Sequence, residues 1–198
     1  MNENNESIEA YKRAVAINPY FAEAWANIGV ELSSLSKYNE SIRFFDEAIE
    51  IKPQLPEPYQ GKGLALARLG KYNESIAYYN KAANITNGMV HADPMNEHSW
   101  EVKGDALFGL GKYFESIESY NRSIELDPTD SEAWRGKGDS LAKLGRSSES
   151  VTCYDKAIEI NPQYAAAWYG KSEVLKALGR SKEAEAAFIK AKELGYNG

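Results

Sequence analysis

Five times along this chain a proline is followed six positions later by an aromatic residue: Pro19/Trp25, Pro53/Tyr59, Pro94/Trp100, Pro128/Trp134 and Pro162/Trp168, at spacings of 34, 41, 34 and 34 residues. A fixed period of this size belongs to arrays of stacked supersecondary units, each of which buries its apolar face only against its neighbours. The 198 residues divide into a partial unit of 21, five units of 34 and seven extra residues in one unit.

Each unit is predicted to hold two helices. Trp100, Gly104 and Leu107 recur at i, i+4, i+7 and therefore share one helical face. Gly111, just past Leu110, closes that helix in the left-handed conformation, and Gly70, Gly145 and Gly179 stand at the same place in their units. The second helix carries Ser116, Tyr120 and Ser123 at the same spacing and ends before Pro128, which cannot continue it. Gly29, Gly63, Gly104 and Gly138 fall inside first helices, where each costs roughly 1 kcal/mol against alanine. Their recurrence at one spot predicts a close helix crossing. The seven extra residues fall between Ile85 and Pro94 and amount to about two helical turns. The second helix there is expected to lengthen on the same face, with an ordered loop as the alternative suggested by Gly88.

Composition removes several function classes. Charged residues make up 26% and hydrophobic ones 43%, the balance of a folded chain, so disorder is not expected. No apolar run reaches the roughly 18 residues of a membrane span, and the first residues lack the basic and apolar stretches of a secretion signal. The one cysteine, Cys153, cannot form an internal disulfide. A cytoplasmic location is expected. The net charge of −6 and the lack of a basic stripe argue against nucleic acid.

The pattern Trp134, Gly138, Leu141, Gly145, Ser150, Tyr154, Ala157, Pro162 resembles the tetratricopeptide repeat (TPR), and Trp168, Leu175, Gly179, Ala184, Phe188, Ala191 repeats it. The resemblance implies an all-α, right-handed superhelical solenoid of helix–turn–helix units. It divides residues 1–198, read as a single array, into a half-repeat at 1–21 and repeats at 22–55, 56–96, 97–130, 131–164 and 165–198. One departure is systematic: the large apolar residue usual before the small one in the first helix is Ile28 once, then Lys62, Lys103, Lys137 and Lys171. These lysines are expected to pack their stems and send the ammonium outward; a ligand-binding lysine row is the sharper alternative.

Both ends carry expectations. Glu6 to Ala14 aligns with a second helix whose first-helix partner is absent, as in a segment of a longer array or a natural start with an exposed end. Ile8, Tyr11 and Val15 are expected to lie uncovered and to support a weak homodimer through this half-repeat. At the other end Glu185 replaces Ile42, Ile76, Ile117 and Val151, and Lys192 replaces Ile49, Ile124 and Ile158. These exchanges make the last repeat wettable, and no capping helix is expected after Gly195-Tyr196-Asn197-Gly198.

The resemblance also places function on a concave face lined by first helices. Counting from the aromatic residue, the positions two before and one, five and eight after share that side. In the last three units they are His98, Glu101, Asp105, Phe108; Glu132, Arg135, Asp139, Ala142; and Ala166, Tyr169, Glu173, Lys176. Asp105, Asp139 and Glu173 form an acidic ladder. The candidate peptide-binding residues are Glu101, Asp105, Phe108, Glu132, Arg135, Asp139, Tyr169 and Glu173, and the expected ligand is an extended, basic segment of a protein or peptide partner. The bland alternative is that the carboxylates solvate a surface and pair with Arg135 and Lys176. Some family members clamp the carboxylate end of chaperone tails with lysines, an arginine and asparagines. The corresponding residues in the last three units are Glu101, Asp105, Gly136, Ala166 and Gly170, and none matches.

No catalytic constellation stands out, so the chain is read as a scaffold, not an enzyme, with no cofactor. His91 and His98 bracket Asp93 and Glu97, but Pro94 breaks the helix that would bring them to one side, and no metal is expected. The alternatives are a self-assembly module using exposed array ends, or a targeting segment of a larger enzyme.

Overall fold

The computed structural model describes residues 2–196; Met1 and the terminal Asn197 and Gly198, where the last predicted repeat ends, lie outside the described residues. The described residues form eleven α-helices and no strand, arranged in two compact units divided between His91 and Ala92. The first unit holds α1 (Asn2–Ile17), α2 (Ala22–Ser34), α3 (Tyr38–Ile51), α4 (Pro56–Arg68) and α5 (Tyr72–Ala92). The second holds α6 (Glu97–Gly109), α7 (Tyr113–Leu126), α8 (Ser131–Lys143), α9 (Ser147–Ile160), α10 (Ala165–Ala177) and α11 (Ser181–Glu193). In each unit a helix packs on the next along the chain, and alternate helices α2 and α4, α6 and α8, α8 and α10 also touch.

The six-residue interval between proline and aromatic has a direct cause. The indole Nε1–H of Trp25, Trp100, Trp134 and Trp168 donates to the carbonyl of Pro19, Pro94, Pro128 and Pro162 at 2.9 to 3.0 Å, and Tyr59 Oη donates to Pro53 at 3.2 Å. One bond thus satisfies a carbonyl in the turn and fixes the first helix against its entry loop. Between the two helices of a repeat, Gly70, Gly111, Gly145 and Gly179 take φ of 73° to 78°, while Ser36 takes the same left-handed conformation at 59°. There the amide of Lys37 donates to Leu32 O at 2.8 Å, closing the helix in the 6→1 manner.

Close approach explains the glycines inside the first helices, and it involves a second set. A methyl group at Gly104 would stand 2.7 Å from Cε1 of Tyr120, and one at Gly136 of the following first helix would press still closer on Cζ of the same ring. Phe45 is enclosed alike by Gly29 and Gly61, and Tyr154 by Gly138 and Gly170. Each of these second-helix aromatics therefore fills a slot between two first helices, and the slot exists because both walls lack a Cβ. Ser116 and Ser150, fully buried nearby, donate to the carbonyls of Gly104 and Gly138 at 2.9 and 2.7 Å, satisfying the hydroxyls where the helices cross.

Helix α5 runs unbroken for 21 residues through Gly88, so the extra segment extends a helix and does not form a loop. Ala82, Thr86 and Val90, at i, i+4, i+8, keep one buried face throughout.

Two expectations are corrected. The lysine ammonium groups do not simply reach for solvent. Lys62 Nζ lies 2.5 Å from Asp46 and 4.3 Å from the centre of the Tyr78 ring, and Lys171 lies 2.6 Å from Asp155. Lys103, Lys137 and Lys171 each sit 5.0 to 5.5 Å from the ring of the tryptophan three residues earlier. An aromatic face one turn back attracts the cation, and an aspartate on the preceding second helix completes the contact where it is present. At the amino end, Ile8 and Val15 are not uncovered: both are buried in a cluster with Ala24, Ile28 and Leu32 of α2, with Tyr11 packed alongside. A second helix has one flank toward its own first helix and another toward the next, and Ile8 and Val15 lie on the latter. Of the residues expected to carry the homodimer, Ile8 and Val15 are therefore withdrawn, while Tyr11 is half-buried.

Candidate peptide-binding face

In the second unit α6, α8 and α10 are successive neighbours and bring the candidate residues onto adjacent helices. Asp105 accepts a hydrogen bond from Tyr120 Oη at 2.5 Å, and Asp139 accepts one from Tyr154 Oη at 2.6 Å. Asp139 also accepts from Arg135 Nη1, while Arg135 Nε donates to Tyr164 Oη at 2.7 Å. The glycine slots set this geometry: a ring pinned between Gly104 and Gly136 delivers its hydroxyl to only one place.

The expected ladder is uneven as a result. Asp105 and Asp139 are half-buried and engaged by tyrosines, whereas Glu132 and Glu173 are exposed. Glu101 lies 3.0 Å from His98 Nδ1. Arg135 pairs with Asp139, as the bland alternative anticipated. Phe108 packs against Tyr113 with ring centres 5.5 Å apart, and Tyr169 stacks on Tyr196 at 4.2 Å. In the first unit the position of Asp105 and Asp139 is taken by Val30 and Leu64, which are 52% and 45% exposed, so the aspartate ladder does not extend into the first unit.

Negative charge is crowded on this face. Burial raises Asp105 to about 6; Arg135 and the Tyr120 bond pull it down, but Glu101 and Glu132 push it further up. Glu132, though exposed overall, is raised as well, by partial desolvation of its carboxylate and then by Glu101. Burial works against the charge on Arg135, yet Asp139, Tyr164 and Asp105 outweigh it and hold the guanidinium charged. Tyr120 and Tyr154 are pushed far up and Tyr164 up to about 12, by burial first, so all three stay neutral at physiological pH and the first two act as donors.

Sequence reasoning missed Tyr120, Tyr154 and Tyr164 as parts of this face. A partial signal exists: Tyr120 and Tyr154 each follow an aspartate by fifteen residues, whereas Phe45 follows Val30 at that interval. Tyr79, fifteen after Leu64, shows that the pairing is not a general rule. Among the described residues no group of three or more His, Cys, Asp or Glu side chains is arranged to hold a metal ion. No described helix is long and apolar enough to cross a membrane.

Comparison with known proteins agrees with the helical-repeat fold. Models described as "TPR repeat" match residues 104–145 and 138–179, and models described as "Tetratricopeptide repeat" match 22–55, 56–88 and 165–194. Among solved structures, the chain is similar to TTC0263, a thermophilic TPR protein of Thermus thermophilus, at 19% identity and a TM-score of 0.67, over 88% of this chain and 91% of that one. It is similar to YrrB, a TPR protein with an unusual peptide-binding site, at 23% identity and a TM-score of 0.50, over 95% and 93%. In the Cut9–Hcn1 hetero-tetramer of APC/C the match is 19% identical with a TM-score of 0.65, over 99% of this chain and 38% of that one. No curated protein matches. At these identities the likeness to solved structures concerns the fold.

Proposed function

Because the chain belongs to the tetratricopeptide-repeat family, we propose that it is a non-catalytic protein-interaction scaffold of the cytoplasm, a single array whose acidic first-helix face binds an extended, basic segment of a partner. Glu101, Asp105, Phe108, Glu132, Arg135, Asp139, Tyr169 and Glu173 form that face. Glu132 and Glu173 meet the ligand first; Asp105 and Asp139, held by tyrosines, supply charge from behind. The observation that carries this reading is the grouping of Glu101, Asp105, Glu132 and Asp139 around the single guanidinium of Arg135; burial is the first cause that lifts Asp105 to about 6 and raises Glu132, and repulsion by neighbouring carboxylates adds to both. A cationic ligand relieves that repulsion, which burial alone does not.

Packed helices stand roughly 8 to 10 Å apart and an extended chain advances about 3.3 Å per residue. One repeat therefore corresponds to about three ligand residues, and basic side chains at every third position fit best. Calorimetric titration with a Lys-x-x-Lys-x-x-Lys peptide is expected to show binding that weakens with salt and is lost in the Glu132→Gln/Glu173→Gln variant. Equal affinity of that variant contradicts the reading.

A further inference from the structure

Two rungs of the second unit are built alike. Asp105 accepts from Tyr120 Oη at 2.5 Å and Asp139 from Tyr154 Oη at 2.6 Å, and each ring is pinned between two glycines. They differ in one respect. The residue one turn before Asp139 is Arg135, whose Nη1 donates to Asp139 while its Nε donates to Tyr164 Oη at 2.7 Å and its Cζ lies 5.9 Å from the centre of that ring. The residue one turn before Asp105 is Glu101. One rung is thus filled by a guanidinium from within the chain, and the other is bordered by a further carboxylate.

The fold does not demand that guanidinium. The rung at Asp105 is assembled from the same glycine slot and the same tyrosine bond without one, and the residues at the position of Arg135 in the other repeats are Ala26, Gln60, Glu101 and Tyr169. Nor is Arg135 shut away from the face, for its side chain is 26% exposed and that of Asp139 27%. A carboxylate at the solvent edge, a tyrosine hydroxyl and an aromatic ring are the contacts that a basic side chain of a ligand seeks. On this rung Arg135 makes all three.

We infer that Arg135 is a tethered occupant of the acidic face, holding over α8 the place that a basic side chain of the partner would otherwise take, and that it thereby determines which ligand residues the face reads. The inference rests on the basic-peptide reading proposed above and assigns one residue its role within it. Over α8 the guanidinium offsets Asp139 and leaves Glu132 to attract the ligand, whereas Glu101 on α6 and Glu173 on α10 have no internal guanidinium beside them. In a segment with basic residues at every third position, the central one therefore contributes less than the outer two, and its contribution is restored when the charge of Arg135 is removed.

The probes are the capped peptide Lys-Ser-Gly-Lys-Ser-Gly-Lys and its counterpart with a central alanine, titrated into the full chain by calorimetry. The parent is expected to bind the two within about threefold of each other, while Arg135→Gln binds the central-lysine peptide about tenfold or more tighter than the parent does and leaves the central-alanine peptide within about threefold. Arg135→Lys, which keeps the charge, shows no such gain. Equal changes for both peptides in Arg135→Gln mark a merely structural arginine and overturn the inference, as does an equal gain in Arg135→Lys. Circular dichroism checks each variant. Should Arg135→Gln unfold, Asp139→Asn decides: it keeps an acceptor for Tyr154 and leaves the guanidinium without its carboxylate, so the central-lysine peptide is expected to bind about fivefold or more weaker than the central-alanine peptide, and equal binding overturns the inference. Failure of both peptides to bind either the parent or Arg135→Gln overturns the basic-peptide reading together with the inference, whereas binding without discrimination overturns the inference alone.

Discussion

At the scale of single residues, the second unit couples charge to packing through two tyrosine–aspartate pairs. Asp105 is the sensitive member. Its folded-state pKa, about 6 against an ordinary 3.8, means that the native state binds the proton more tightly than the unfolded chain. Its contribution to stability is full below about pH 4 and is lost as pH rises through about 6. Asp105→Asn keeps an acceptor for Tyr120 and removes the titration. The variant is therefore expected to unfold at higher temperature than the parent at pH 8, by on the order of 2 kcal/mol, and at nearly the same temperature at pH 4. Thermal melts at the two pH values check this. Tyr120→Phe does the reverse, leaving a half-buried carboxylate without its donor, and is expected to destabilise by about 1 to 3 kcal/mol at pH 7. Neither pairing was legible beforehand. Periodicity identifies the face on which Tyr120 or Asp105 lies, but not that a hydroxyl on one helix reaches a carboxylate on another.

At the scale of elements, the repeat was legible because its punctuation is physical. Proline ends the second helix and its carbonyl receives the indole of Trp25, Trp100, Trp134 or Trp168, so the two residue types recur at a fixed interval. The lengthened α5 was legible because seven residues preserve a helical face. What escaped was the meaning of Gly61, Gly136 and Gly170, whose ring lies sixteen residues earlier in the preceding repeat, and of the lysines between or beside such glycines. Gly136→Ala forces a methyl into the buried Tyr120 ring and is expected to cost about 1 to 3 kcal/mol in chemical denaturation. Gly88→Ala, within α5 and open on all sides, is expected to stabilise by up to about 1 kcal/mol in the same assay. Ser36→Gly, relieving the left-handed conformation at φ 59°, is expected to raise stability by about 1 kcal/mol.

At the scale of the whole chain, the first-helix positions expected to bind a ligand differ between the two units. The first presents Val30 and Leu64, and the second presents carboxylates grouped around Arg135, with Asp105 raised by burial first and by Glu101 and Glu132 in addition. The resemblance to a repeat family made that face a candidate. The sequence pattern overstated how free Asp105 and Asp139 are, because each is partly spent on a tyrosine. The most direct test is chemical-shift mapping of the ¹⁵N-labelled chain with a saturating Lys-x-x-Lys-x-x-Lys peptide. The account predicts the largest perturbations on α6, α8 and α10, centred on Glu101, Glu132 and Glu173. Perturbations centred on Val30 and Leu64, on the lysine row from Lys62 to Lys171, or nowhere on these first helices would contradict it.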